Sequence, residues 1–359
     1  MNALVIGGTG PTGPAIVDGL LARGYEVTIY HRGTHEIEFA GPVAHLHGDP
    51  FSKDDLERDL GARTFDLIVG NYGRLRYVAK IVAGRTGRLI GITGGASYVG
   101  FGSAQDAPLG TPMPFREDSP VYETRDERNH FGFMVAQGER EVIEGHRRGD
   151  YEAAVLRYPR VYGPRQLAPC MWPIVRRALD GRRQIIVPGD GLRTRARGYA
   201  ENMAHAVLLV ADRFERCAGE IYNVADEQTF TIGQLVNLIA RILDHDWEVV
   251  EALHPMAEAL SRPYSTPPQH MMFDLAKIKR DAGYRDLVPA EEGVRRTVRW
   301  LVANREQMAG RVEAALGDRF DYQLEDQFIA AYKRAIENVT AALPEPPPLP
   351  GYEYQYRTG

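Results

Sequence analysis

Seven residues near the amino terminus, Gly7-Gly8-Thr9-Gly10-Pro11-Thr12-Gly13, stand directly after an apolar run, Ala3-Leu4-Val5-Ile6, and directly before a helical pattern over Ala15 to Arg23. Small residues there let a pyrophosphate approach the backbone, and the unpaired N–H groups that open a helix can bind it. A Gly-x-x-Gly-x-x-Gly string alone is weak, but between a strand and a helix it predicts a dinucleotide site. Gly7, Gly10, Pro11, Thr12 and Gly13 are its expected phosphate contacts. The second strand ends in Tyr30-His31-Arg32-Gly33, with no carboxylate to accept from a ribose 2′-hydroxyl. Arg32 could pair with a 2′-phosphate instead, beside His31 as a further cofactor contact, so NADP(H) is expected ahead of NAD(H). Asp49, beside Pro50, is placed to accept from the adenine amino group, and Asn71 and Tyr72 to flank the pyrophosphate and ribose.

These residues need a scaffold that brings strand ends together. Short apolar runs at 3–6, 26–30, 43–47, 67–69, 88–93 and 153–157 alternate with helical patterns at 15–23, 53–60, 74–83 and 133–148. That alternation predicts an α/β fold, a Rossmann-type doubly wound parallel sheet with a smaller C-terminal substrate-binding domain. Residues 1–165 form the dinucleotide-binding domain, to which 198–225 return; 166–197 and 226–304 form the smaller one. Residues 305–359 read as a helical extension, two amphipathic helices to about 342 and a proline-rich tail. Residues 104–129, rich in proline and charge, read as a long loop over the strand ends and a candidate lid. Thr231 to Gln234 has capping-box spacing ahead of a helix.

The chain resembles the extended short-chain dehydrogenase/reductases, the NAD-dependent epimerase/dehydratases, over about residues 1–302. The resemblance rests on Gly7 to Gly13, on Gly48-Asp49, and on Leu156-Arg157-Tyr158-Pro159-Arg160-Val161-Tyr162-Gly163-Pro164. It implies that Pro159 and Val161 approach the nicotinamide and that Arg195, in Thr194 to Tyr199, binds substrate phosphate. It also implies a homodimer paired through helices like 74–83 and 133–148. The family's chemistry needs a serine or threonine after strand five and a tyrosine with a lysine four residues later on the long helix. Those positions hold Gly95, Phe131 and Val135, and no Tyr-x-x-x-Lys occurs anywhere in the sequence. Thr93, at the end of strand five, stays a cofactor neighbour. Tyr98 and His130 are the replacement candidates for proton exchange, Tyr98 and His270 for lining the substrate pocket. Glu139 is a base only if buried, and Arg176, Arg177, Arg182 and Arg183 make a basic linker that could draw an anionic substrate.

Charged residues are 25% and hydrophobic ones 44% of 359, with a net charge of −5, so attraction to nucleic acid or anionic membrane is not expected. The amino terminus has no basic leader and no apolar run is long enough for a membrane span, which predicts a cytoplasmic protein. The two cysteines, Cys170 and Cys217, lack metal-site spacing, so no metal site is expected. Three readings follow. The first is an atypical NADP(H)-dependent oxidoreductase, epimerase or dehydratase acting on a small polar substrate. The second is an inactive nucleotide-sensing protein. The third is an RNA-related one, because Val187 to Gly191 and Gln269 to Phe273 are similar to chloroplast stem-loop RNA-binding proteins.

Overall fold

The computed structural model describes residues 1–71, 73–101, 111–125, 127–253, 256–257, 260 and 269–344. Seven parallel strands make the main sheet: β1 (Asn2–Ile6), β2 (Glu26–His31), β3 (Val43–His47), β4 (Phe65–Gly70), β5 (Thr86–Gly94), β6 (Glu152–Tyr158) and β10 (Ile221–Asn223). Their order is β10-β6-β5-β4-β1-β2-β3, so the direction in which successive strands are added reverses between β1 and β4. Ligands in such sheets bind at this crevice, beyond the carboxyl ends of the strands. The central strands are fully buried and read as continuous apolar runs, Ala3 to Ile6 and Leu67 to Val69, because helices cover both faces.

One face carries α1 (Gly13–Leu21) and α6 (Ala200–Asp212), packed through Ile16, Val17, Leu20, Val207 and Val210. The other carries α2 (Lys53–Leu60), α3 (Leu75–Ile81) and α4 (His130–Arg148). Two small parallel sheets complete the fold: β7 (Arg160–Tyr162) with β9 (Arg197–Tyr199), and β8 (Gln184–Pro188) with β11 (Glu248–Ala252). Around them lie α5 (Trp172–Leu179), α8 (Ile232–Ile242) and α10 (Ala290–Ala303), while α7 (Phe214–Cys217) and α9 (Ala276–Ala282) join the core beside α6. Both halves of the capping box at Thr231 and Gln234 are present.

The chain divides into two units, Met1–Arg319 and Phe320–Gly359. The first also contains α11 (Arg305–Met308) and α12 (Arg311–Leu316); the second contains α13 (Tyr322–Ala342), started by the Asp321 side chain accepting from Leu324 N. The extension therefore holds three helices where two are expected, because Gly310 and Gly317, both with positive φ, interrupt the run. Two of the linker's four arginines pair with this part of the chain. Arg176 pairs with Glu313, and the buried Arg177 pairs with Asp318 at 2.7 Å.

Asp226 ties the small sheet to α6. It accepts from Tyr199 N, Asn202 Nδ2 and Tyr162 Oη at 2.8–2.9 Å. Asn202 in turn holds Val288 through both its N–H and its carbonyl. Burial pushes the Asp226 carboxyl up to about 6, against those three hydrogen bonds. The native state therefore binds more protons than the unfolded chain between that value and the ordinary 3.8. Stability should fall as pH rises through this window, by up to ~1.4 kcal/mol per pH unit. Urea unfolding from about pH 4 to about pH 7 checks it: relative to Asp226→Asn, the wild type should lose stability with rising pH, and parallel profiles would refute the assignment.

Candidate active site

The glycine turn sits at the reversal point. Gly7 and Gly8 adopt φ of 110° and 100°, a region that side chains resist. A Cβ on Gly8 would stand 2.8 Å from Ile29, and one on Gly13 has no room against the backbone of Gly8. Gly10 differs: its backbone has ordinary φ, and nothing lies within 4 Å of where its Cβ would be. The turn is thus closed on the protein side and open on the crevice side. Across the reversal, Thr12 Oγ1 donates to Asn71 Oδ1 at 3.1 Å, and Asn71 N donates to Ile6 O. Pro11 and Thr12 precede α1, which has Pro14 in its first turn. Asp49 accepts from Phe51 N through one carboxylate oxygen and lies beside the buried Pro50. Tyr72 lies outside the described residues.

The ends of β5 and β6 are filled differently from what the sequence suggests. The 3-10 turn Gly95–Ser97 follows β5, and a Cβ on Gly95 would meet the rings of Phe101 and Phe273 at 2.7 Å. A serine at the family's position has no space. Behind it runs a buried polar chain. Thr93 Oγ1 donates to Glu139 at 2.8 Å, and Arg157 grips the same carboxylate through Nε and Nη2, the latter at 2.7 Å. Both partners are about 3% exposed. Burial alone would lower the Arg157 pKa, but the Glu139 charge and its hydrogen bonds hold it above the ordinary value. Arg157 also lies 4.5 Å from the Tyr98 ring centroid, and Tyr98 Oη donates to Asn223 Oδ1 at 2.8 Å.

This arrangement corrects two expectations. Tyr98 has no exposed surface; it packs among Phe101, Phe115 and Phe273 and is a core residue, not a lining of the substrate pocket. Burial pushes its pKa up to about 12, the reverse of what proton exchange near neutrality needs. Phe131 is 71% exposed, so the side chain in the family's tyrosine position points to solvent. Gly132, Ala136 and Glu139 form the buried stripe of α4, with Gly132 against Ala96 O and the Tyr122 ring; Val135 is only half-buried beside them. His130 opens α4 and is exposed. The sequence reading missed Tyr122, which a loop delivers to the turn after β5; its only signal was proximity to Pro120.

Beyond β6, Pro159 leads into β7, and Val161 pairs with Gly198 of β9. Arg195 and His270 are brought side by side: Arg195 bridges to Met271, and His270 Nδ1 accepts from Thr194 N at 3.2 Å. Arg195 Nε is buried with no hydrogen-bond partner among the described residues. Burial and the nearby Arg160 and Arg197 lower its pKa to about 10. At the other end of the crevice, Arg32 is exposed while His31 is buried and faces Glu36, His45 and His47, not the crevice. The cation open to a 2′-phosphate is therefore Arg32 alone of the two.

Residues 87–225 match the model of the NAD dependent epimerase/dehydratase family. The chain also resembles individual proteins. It is 24% identical over 329 residues to a UDP-N-acetyl-alpha-D-glucosaminuronate decarboxylase of Bacillus cytotoxicus, covering 84% of this chain and 97% of that protein. Other matches are shorter. It spans 48% of an uncharacterized Sinorhizobium fredii protein at 27% identity over 43% of this chain, and 42% of a Neisseria gonorrhoeae dTDP-glucose 4,6-dehydratase at 32% over 40% of this chain. Among solved structures it resembles a Thermotoga maritima UDP-glucose 4-epimerase, with a TM-score of 0.68, 20% identity, and coverage of 85% of this chain and all of that one. No helix among the described residues is long and apolar enough to cross a membrane.

The Glu139–Arg157 pair generates a stability test. Arg157→Met leaves a carboxylate buried without its partner and should cost ~3–5 kcal/mol, whereas Glu139→Met/Arg157→Met should recover most of that. Denaturant unfolding of the wild type and the variants measures both; a single variant within ~1 kcal/mol of wild type would mean that the pair is solvated.

Proposed function

We propose that the chain binds a nicotinamide dinucleotide at the β1–α1 turn and acts as an atypical epimerase/dehydratase-type oxidoreductase on a small anionic substrate. The observation that carries the reading is the turn itself: Gly13 packed on Gly8, Gly10 open to the crevice, and Thr12 joined to Asn71 across the reversal point. The residues present fit the group, because only backbone and small side chains border the place where phosphates would lie. Bound there, the nicotinamide would exchange hydride with substrate. Asp49, Asn71 and Arg32 would hold its adenosine half, and Arg32, with no competing carboxylate at the end of β2, favours NADP(H) over NAD(H).

Arg195, with its unpartnered Nε beside Arg160 and Arg197, supplies a desolvated positive site for an anionic substrate group. The relatives named as a decarboxylase, a dehydratase and an epimerase act on sugar nucleotides, whose diphosphate has that chemistry. His270 stands beside Arg195 and would line the same pocket. Proton exchange falls to His130, at the start of α4, since Tyr98 is sealed in the core. The chain would pair as a homodimer through the outer faces of α3 and α4, the helices that the family resemblance points to.

Four substitutions test this reading. Gly10→Val should weaken nucleotide binding by ~100-fold or more in calorimetry without moving the melting temperature, since the protein itself leaves room for the side chain. Arg32→Ala should weaken NADPH by ~10–100-fold and leave NADH nearly unchanged, the worth of a charged hydrogen bond. His130→Ala should lower kcat by ~100-fold or more on a carbonyl or sugar-nucleotide substrate, while Tyr98→Phe should alter stability and not kcat. Full NADPH affinity in Gly10→Val would end the proposal. Nucleotide binding with no turnover over a broad panel would favour a sensor instead.

A further inference from the structure

At the open edge of the main sheet, four side chains converge from three segments. Parallel pairing of β2 with β3 sets His31 opposite His47 and Ile29 opposite His45. The two-residue period of a strand puts His45 and His47 on one face of β3, and His31 closes the group from β2. Glu36, from the segment between the strands, folds back onto all three. Its carboxylate oxygens lie 3.7 Å from His31 Nε2, 3.2 Å from His45 Nδ1 and 3.4 Å from His47 Nε2. His31 Nε2 is 3.1 Å from His45 Nδ1, and the four donor atoms lie within 4.8 Å of one another.

That spacing has a chemical meaning. Zinc binds imidazole nitrogen and carboxylate oxygen at about 2.0–2.2 Å in a tetrahedron, which puts neighbouring donor atoms about 3.3 Å apart. The separations here bracket that value. Without an ion, two imidazole nitrogens face each other at hydrogen-bond distance and three rings turn to one carboxylate, although His45 and His47 are exposed and free to point into water. His31 is 5% exposed, so its ring is fixed in place by the sheet while the other three ligands reach it from the edge.

We propose that His31, Glu36, His45 and His47 bind one divalent transition-metal ion of the zinc class. Three imidazoles and one carboxylate select zinc, cobalt, nickel or copper over magnesium and calcium, which take oxygen donors. The ion staples the 32–42 segment to the end of β2 and the edge strand β3. Its role is structural, and the inference stands independently of the nucleotide reading. Cysteine spacing gives no hint of this site, because its ligands are histidines and a glutamate that only strand pairing brings together.

The test uses the untagged full chain stripped of metal. Titration with Co²⁺ should give one equivalent bound with the visible absorption of a tetrahedral site, displaced by Zn²⁺, and Zn²⁺ should raise the melting temperature. The exposed ligands make a safe variant: His45→Ala/His47→Ala should weaken binding by ~100-fold or more and abolish the thermal shift, while His270→Ala, elsewhere in the molecule, should keep both. Glu36→Gln should weaken binding without unfolding the chain. Absence of saturable Co²⁺ or Zn²⁺ binding, equal binding by His45→Ala/His47→Ala, or equal loss in His270→Ala would each overturn the assignment.

Discussion

The buried ion pair of Arg157 with Glu139 governs the centre of this molecule. Each ion alone would be costly out of water, so the pair persists only because its geometry is close and its remaining hydrogen-bond capacity is used. The Arg157 guanidinium spends its donors on Glu139 and the Glu117 carbonyl, and its face lies on Tyr98. Glu139 takes the Thr93 hydroxyl as well. One pair thus joins β5, β6, α4 and the loop that carries Glu117.

That knot also decides what chemistry the crevice can hold. Where a reacting hydroxyl, phenol and ammonium would project in related enzymes, this chain has aromatic rings over Gly95, a glycine and an alanine on the buried stripe of α4, and a charge pair behind them. The nucleotide end of the crevice follows the opposite design: it is kept empty by small residues and stiffened by Thr12 and Asn71. A binding half that is open beside a reacting half that is packed explains why the family resemblance is strong in the fold and weak in the side chains that move protons.

The substrate side adds a third environment. Arg195, Arg197 and Arg160 gather where Asp226 is already committed to Tyr162, Tyr199 and Asn202. Burial there lowers the pKa of both Arg195 and Arg197. The same Asp226 and Asn202 fix the small sheet against α6, so the arginine cluster is held by the scaffold and does not depend on a loop.

Much of this was legible in the sequence because it is local. The strand–turn–helix reading of Ala3 to Arg23, the alternation of apolar runs, the capping box at Thr231 and the lack of Tyr-x-x-x-Lys all depend on neighbours within a few residues, and the structure has the elements within two or three positions of where periodicity puts them. What residues distant in sequence do to one another was not legible. Tyr98 reads as a crevice tyrosine until Asn223, 125 residues away, takes its hydroxyl. Glu139 reads as a surface carboxylate until β6 brings Arg157 to it, and His31 as a cofactor contact until the register with β3 turns His45 and His47 toward it. Burial and pairing are properties of strand order and register, and these are set by the whole core at once rather than by any stretch of the chain.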